Sequence, residues 1–220
     1  MDTYFQYDEI AIEYLKKRDK RLAEVIEKIG KVKRPVITDL FTALIHSIVG
    51  QQISTKAHQT VWARMQNELG EITPVIMYDL PLNDLQRFGI TFKKATYIKS
   101  VAQKIIAKEL DINALHTMSD EEVCAKLSEL DGVGTWTAEM LMLHSMQRPD
   151  ILSYGDLAIL RGLRMVHHHR TIDKARFERY RKRYAPYGSV ASIYLWAVSG
   201  GAIEEMKDYG IQKTKIKSGK

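Results

Sequence analysis

Apolar residues recur through this chain at helical spacing, and no alternating run is long enough to force a sheet. Leu40, Phe41, Leu44, Ile45, Ile48 and Val49 fall on one face of a helix. Ile98, Val101, Ala102, Ile105 and Ile106 repeat the pattern. Ser119 and Glu122 have the spacing of a capping box ahead of Val123, Leu127 and Leu130. Leu157, Leu160, Leu163 and Val166 mark another helix, and Ile193, Trp196 and Ala197 a later one. Breaks are expected near Gly30 to Pro35, Gly70 to Pro74, Leu80-Pro81, Phe88-Gly89, Arg148-Pro149 and Pro186 to Gly188. An all-α chain with short loops follows, with a Lys-rich tail over 213–220 expected to fray.

A hydrophobic share of 45% in 220 residues supports a real core, as one large domain or two packed lobes. The net charge of +6 suits a polyanionic partner, although many ordinary proteins share it. With a single cysteine, Cys124, the chain can form no internal disulfide and no all-cysteine zinc or iron–sulfur site. No apolar run approaches the roughly 20 residues that span a bilayer. The start, Met1-Asp2-Thr3-Tyr4, lacks the basic and then apolar regions of a signal peptide. These features predict a soluble cytoplasmic protein, nucleoid-associated if bacterial, with no membrane partner.

The stretch Leu130-Asp131-Gly132-Val133-Gly134-Thr135-Trp136-Thr137-Ala138 carries the most chemistry. One helix ends at Leu130 and another starts near Thr135. Two glycines one residue apart permit a tight turn, each able to take positive φ. The amides opening the second helix then face outward at its positive end and suit one phosphate oxygen. Such a contact reads backbone and no bases. A dinucleotide fingerprint is excluded, because no strand precedes the turn and no third glycine is in register. Spacing alone leaves a DNA-binding hairpin and a structural helical corner both open.

The stretch resembles the hairpin of the helix-hairpin-helix DNA glycosylase superfamily, and the resemblance continues along the chain. Ile48-Val49-Gly50-Gln51-Gln52-Ile53-Ser54 looks like the loop by which the 3-methyladenine DNA glycosylase II type enters DNA. Phe88-Gly89-Ile90 with Lys94-Ala95-Thr96-Tyr97-Ile98 is similar to the next signature. Gly155 to Gly162 resembles the catalytic-aspartate segment, and Tyr184 to Ser189, ending at Trp196, the late helix. The order of these five blocks is more specific than any one of them. Asp131 stands where a proline is usual, Ser153-Tyr154-Gly155 replaces a proline-containing segment, and Gly188 replaces an arginine. These departures leave the lesion range open.

The resemblance implies two helical lobes with DNA across a cleft; the family's bacterial archetype also carries an N-terminal β-rich domain, which this chain is expected to lack, being too short at that end to hold one. A six-helix bundle over 35–143 ends in the hairpin, and 1–34 with 144–212 form the second lobe. Read alone, Asp156 is an ordinary helix N-cap; the resemblance makes it the catalytic carboxylate, stabilising the sugar cation that forms as the N-glycosidic bond breaks. Trp136, Trp196 and Tyr154 would bind the flipped base, although core packing explains the tryptophans equally well. Trp136 matches the position of the Schiff-base lysine in lyases of the superfamily, so a monofunctional enzyme is implied. Gln51, Gln52, Ile53, Ser54, Lys56, Gly132, Val133, Gly134, Thr135 and Thr137 would meet DNA, with Gln52 or Ile53 as the wedge. A sodium or potassium ion on the backbone carbonyls of Ser128, Leu130 and Val133 is also carried by the resemblance; no cofactor is required and no iron–sulfur cluster is expected.

The implied activity is excision of damaged bases, N3- or N7-alkylated purines, from double-stranded DNA by a monomer. The alternatives are a glycosylase for uracil, hypoxanthine or mismatched thymine, and a non-catalytic DNA-binding protein of the same fold. His167, His168 and His169 point about 100° apart on a helix and cannot share one metal; they are expected at the surface. Cys124 is expected to be a small buried residue, and Lys16-Lys17-Arg18 and Arg179 to Arg183 to be solvated faces.

Overall fold

A computed structural model describes residues 3–210; the expected tail at 213–220 lies outside the described residues. In chain order the elements are β1 (Thr3–Tyr4), α1 (Glu9–Arg18), α2 (Lys20–Ile29), β2 (Pro35–Val36), α3 (Leu40–Gly50), α4 (Thr55–Leu69), α5 (Pro74–Asp79), α6 (Leu82–Arg87), α7 (Phe92–Ile106), a 3-10 turn (Ala114–Thr117), α8 (Asp120–Ser128), α9 (Thr135–His144), α10 (Leu157–His167), α11 (Lys174–Tyr184) and α12 (Gly188–Ser199). The fold is all-α. The strands form one antiparallel pairing, with Thr3 opposite Val36 and Tyr4 opposite Pro35.

The described residues divide into two compact units, 3–5 with Pro35–Arg148, and Gln6–Arg34 with 149–210. The first unit therefore includes the β1 strand and runs five residues beyond the expected boundary at 143. It holds seven α-helices, α3 to α9, and a 3-10 turn, where six helices are expected from sequence; α5 and α6 are short, six-residue helices that the apolar period does not separate. Helix α3 is the centre of this unit. Leu44, Ile45, Ile48 and Val49 are 0% exposed, and Ala43 on another side of the helix is buried as well. A helix apolar on nearly all sides needs neighbours around it, and α3 packs on α4, α7 and α9. Each fully buried Leu, Ile or Val there contributes roughly 1.5–3 kcal/mol. In α7 the core face runs through Ala95, Ile98, Val101 and Ala102, while Ile106 at the last turn is exposed.

In the second unit, α12 is the buried helix, with Val190, Ile193, Tyr194 and Leu195 all at most 2% exposed. It packs on α10, and Gly162 makes the approach: a Cβ there would lie 2.4 Å from the Leu195 carbonyl oxygen. A polar cluster joins α1, α2, α10 and α11. Asp19, N-cap of α2, accepts from Arg183 Nη1 at 2.8 Å and from the Tyr184 hydroxyl at 3.0 Å.

Candidate active site and DNA-facing hairpin

Asp, Ser or Thr side chains cap the N-termini of nine of the twelve described α-helices, but α9 starts at Gly134 with no side-chain cap. The two hairpin glycines do different work. Gly132 has φ +81°, and a Cβ on it would come within 2.3 Å of the Tyr97 ring. Gly134 has φ −92°, so the expected second left-handed residue is absent, and a Cβ there would meet nothing within 4 Å. Nothing inside the protein demands a glycine at 134; what its lack of side chain does is leave the approach to the first turn of α9 open. Val133 and Thr137 are buried, so only their backbones can reach outward, whereas Thr135 and Trp136 are exposed.

The turn is braced from a distance. Gln51 Nε2 donates to the Gly132 carbonyl at 2.7 Å. Lys94 Nζ in turn donates to the carbonyls of Val49 at 2.8 Å, in the last turn of α3, and of Gln51 at 2.6 Å, its C-cap. Burial pushes the Lys94 ammonium below the ordinary lysine value. The Gln51 side chain, expected on DNA, is thus committed to the hairpin. Its neighbours form the exposed tip: Gln52 is left-handed at φ +57°, Ile53 is 39% exposed, and Ser54 caps α4 through Ala57 N at 3.2 Å. Lys56 is exposed on the first turn of α4. Among the described residues no three His, Cys, Asp or Glu side chains gather as a metal site. Ser128 ends α8, where carbonyls run out of helical donors, and the Leu130 carbonyl already accepts from Val133 N at 3.0 Å.

In the second unit Asp156 is 7% exposed and caps α10, its Oδ1 accepting from Ala158 N at 2.8 Å and Ile159 N at 2.9 Å. The amides fix the carboxylate's rotation and place it in the positive end of the helix dipole. The approach to Asp156 is laced to α12. Ile151 N donates to Ser189 Oγ at 2.9 Å, Ser192 Oγ donates to the Ile151 carbonyl at 2.8 Å, and Gly188 N donates to Asp150 Oδ1 at 2.9 Å. A Cβ at 188 would sit 2.7 Å from Asp150 Oδ1, so a larger residue there displaces the Asp150 carboxylate. Sequence reasoning missed Asp150, Ser189 and Ser192; their polar types inside an apolar stretch were the available signal.

Trp196 is half-buried, and the Arg34 guanidinium lies 5.2 Å from its ring centroid. Tyr154 is half-buried too, but its ring packs edge-on against Phe177 at 5.1 Å, with Lys174 Nζ 4.8 Å above it. That contact holds the loop to α11, a packing role beside the expected base contact.

Three expectations about side groups need correction. His167 is 7% exposed, not a surface residue: the last turn of α10 faces inward, and Nε2 lies 3.0 Å from the Tyr184 hydroxyl. Burial is the main cause that pushes its pKa down to about 4, against the Asp19 charge. Arg183 joins this cluster rather than a fully solvated face. Cys124 is half-buried, because it sits beside and not on the stripe of Val123 and Leu127.

The chain's likeness to known proteins agrees with this arrangement. Residues 45–186 match the model of the HhH-GPD superfamily base excision DNA repair proteins. A curated relative, DNA-3-methyladenine glycosylase 1 of Schizosaccharomyces pombe, is 26% identical over 87% of this chain and 86% of its own. The crystal structure of a DNA-3-methyladenine glycosidase from Bacillus halodurans superposes with a TM-score of 0.81 at 33% identity, covering 93% of this chain and 95% of that one. The S. pombe 3-methyladenine DNA glycosylase in complex with abasic DNA gives a TM-score of 0.77 at 26% identity, over 86% of this chain and 96% of that one. With the match covering more than half of its length, the chain belongs to the HhH-GPD superfamily of base excision DNA repair proteins.

Proposed function

We propose that this protein is a DNA-3-methyladenine glycosylase: it binds duplex DNA, flips out a damaged base and hydrolyses its N-glycosidic bond. The observation that carries the reading is Asp156, a buried carboxylate fixed at the start of α10 in a chain of this superfamily. As the bond between C1′ and the base nitrogen breaks, its electron pair leaves with the base and positive charge grows on the sugar. A pre-oriented carboxylate in a site with little water stabilises that charge and orients the water whose oxygen bonds to C1′. A purine methylated at N3 or N7 is cationic before the bond breaks, so it departs neutral and needs no general acid. N3- and N7-alkylated purines are therefore the substrates this arrangement suits.

Placement supports the remaining roles. The open first turn of α9 takes a backbone phosphate, with Gly134 giving it access. The carbonyls of Ser128, Leu130 and Val133 would hold a sodium or potassium ion whose positive charge adds to that contact. Ile53, an exposed aliphatic side chain beside the left-handed Gln52, is the wedge that fills the vacated stack, and Lys56 adds a phosphate contact. Trp136 has no amine to form a Schiff base, so the strand is left intact at the abasic site. The protein acts as a monomer.

Duplexes each carrying one lesion test this directly. Free 3-methyladenine or 7-methylguanine is expected after incubation with the protein. Borohydride added with an abasic duplex is expected to trap no covalent adduct. Failure to release any base from the panel contradicts the glycosylase reading, and efficient trapping contradicts the monofunctional one.

A further inference from the structure

Arg34 precedes Pro35, which holds it away from helical backbone and lets its side chain project from the segment after α2. Its guanidinium sits over the Trp196 ring, 5.2 Å from the centroid, in a cation–π arrangement. Surrounding protein lowers the guanidinium below the ordinary arginine value, and the negative charge of Asp156 acts in the opposite sense. Arg34 thus stands within the field of Asp156 and stays cationic at any working pH. Nothing in the sequence pattern assigns it a role.

We propose that Arg34 is a specificity-determining residue of this site, extending excision beyond the cationic alkylpurines to lesions whose base is neutral before the bond breaks. The assignment rests on the reading that Asp156 and Trp196 serve the flipped nucleotide. A cationic alkylpurine placed on Trp196 meets a like charge there and must compete for the aromatic face. A neutral lesion such as hypoxanthine or 1,N6-ethenoadenine meets no such repulsion. When its glycosidic bond breaks, the electron pair makes the departing base an anion. The guanidinium N–H groups donate to that anion, which takes its proton from solvent, while water supplies the oxygen to C1′. Arg34 also offsets the Asp156 charge, but that affects both classes alike and cancels in their ratio.

The test is single-turnover excision by the full chain and by Arg34→Gln and Arg34→Lys, on duplexes carrying hypoxanthine or 7-methylguanine. Circular dichroism checks that both variants fold. Arg34→Gln should lower the hypoxanthine-to-7-methylguanine rate ratio by about ten- to hundred-fold, the scale of one charge-assisted hydrogen bond. Arg34→Lys, which keeps the charge, should retain most of the ratio. Equal losses on both lesions reduce Arg34 to a packing or backbone contact and overturn the proposal. So does a wild-type protein that releases 7-methylguanine but no hypoxanthine, a result that leaves the alkylpurine reading standing. Release of neither base overturns that reading and the proposal with it.

Discussion

Gly162 of α10 lies so close to Leu195 of α12 that a methyl group at position 162 would come within 2.4 Å of the Leu195 carbonyl oxygen. Backbone cannot move aside as a flexible side chain can, so the helices themselves must separate. Overpacking by Gly162→Ala costs about 1–3 kcal/mol and the clash is with backbone, so the upper part of that range applies; after the roughly 1 kcal/mol that alanine gains in helix propensity, a net loss of about 1–2 kcal/mol is expected. Because α10 carries Asp156 at its first turn, excision should fall with stability. Chemical denaturation and single-turnover rates on the same preparation check both; an unchanged or raised midpoint contradicts the close packing.

The hairpin glycines should separate cleanly by substitution. Gly132→Ala strains a residue at φ +81° and drives a methyl group into Tyr97, so it should lose stability. A Cβ at position 134 meets no described protein atom within 4 Å, so Gly134→Val should fold normally, yet bind every duplex more weakly by a similar factor. Its salt dependence should be shallower, as one phosphate contact fewer requires. Normal affinity in a folded Gly134→Val protein removes the hairpin from the DNA interface.

Acid should destabilise the second unit through His167. Its folded pKa is about 4, below the ordinary 6.5. Between those values the unfolded chain takes up a proton that the folded one refuses. The stability from neutral, buried His167 is therefore fully present above about pH 6.5 and is lost as pH falls toward about 4. The scale is ~3 kcal/mol. His46, also pushed down to about 4 by burial, adds in the same direction from the first unit. Asp19, held below the usual carboxylate value despite its burial by His167, Arg183 and Tyr184, gives way only at lower pH still. Denaturation midpoints should drop between about pH 7 and pH 5, and His167→Gln should flatten that slope. A midpoint independent of pH over this range contradicts the assignment.

The helices, the Ser119–Glu122 capping box and the hairpin were legible because they depend on neighbours in sequence, and the capping box is formed on both sides. The bracing of the hairpin was not. Gln51 reaches Gly132 across 81 residues, and Lys94 reaches Val49 across 45, distances at which no local period carries information. His167 was misread for a related reason: three consecutive histidines show no face, and only the packing of α11 and α2 buries the first. Arg34 lies in a segment with no apolar period at all. Asp156 was legible as a cap from the residues before Leu157, and the structure shows that capping geometry; the catalytic role comes from the resemblance and rests on the substitution below.

The two roles of Asp156 part company in one substitution. Asparagine keeps the shape and can still accept from Ala158 and Ile159, but it carries no charge. Asp156→Asn should fold and bind lesion duplex nearly as the parent does. Single-turnover release of 7-methylguanine should fall by roughly two to four orders of magnitude, the scale of removing such electrostatic help. Release at the parental rate, from a preparation free of parental enzyme, would make Asp156 a helix cap alone and send the search for the catalytic carboxylate to Asp131 and Glu139.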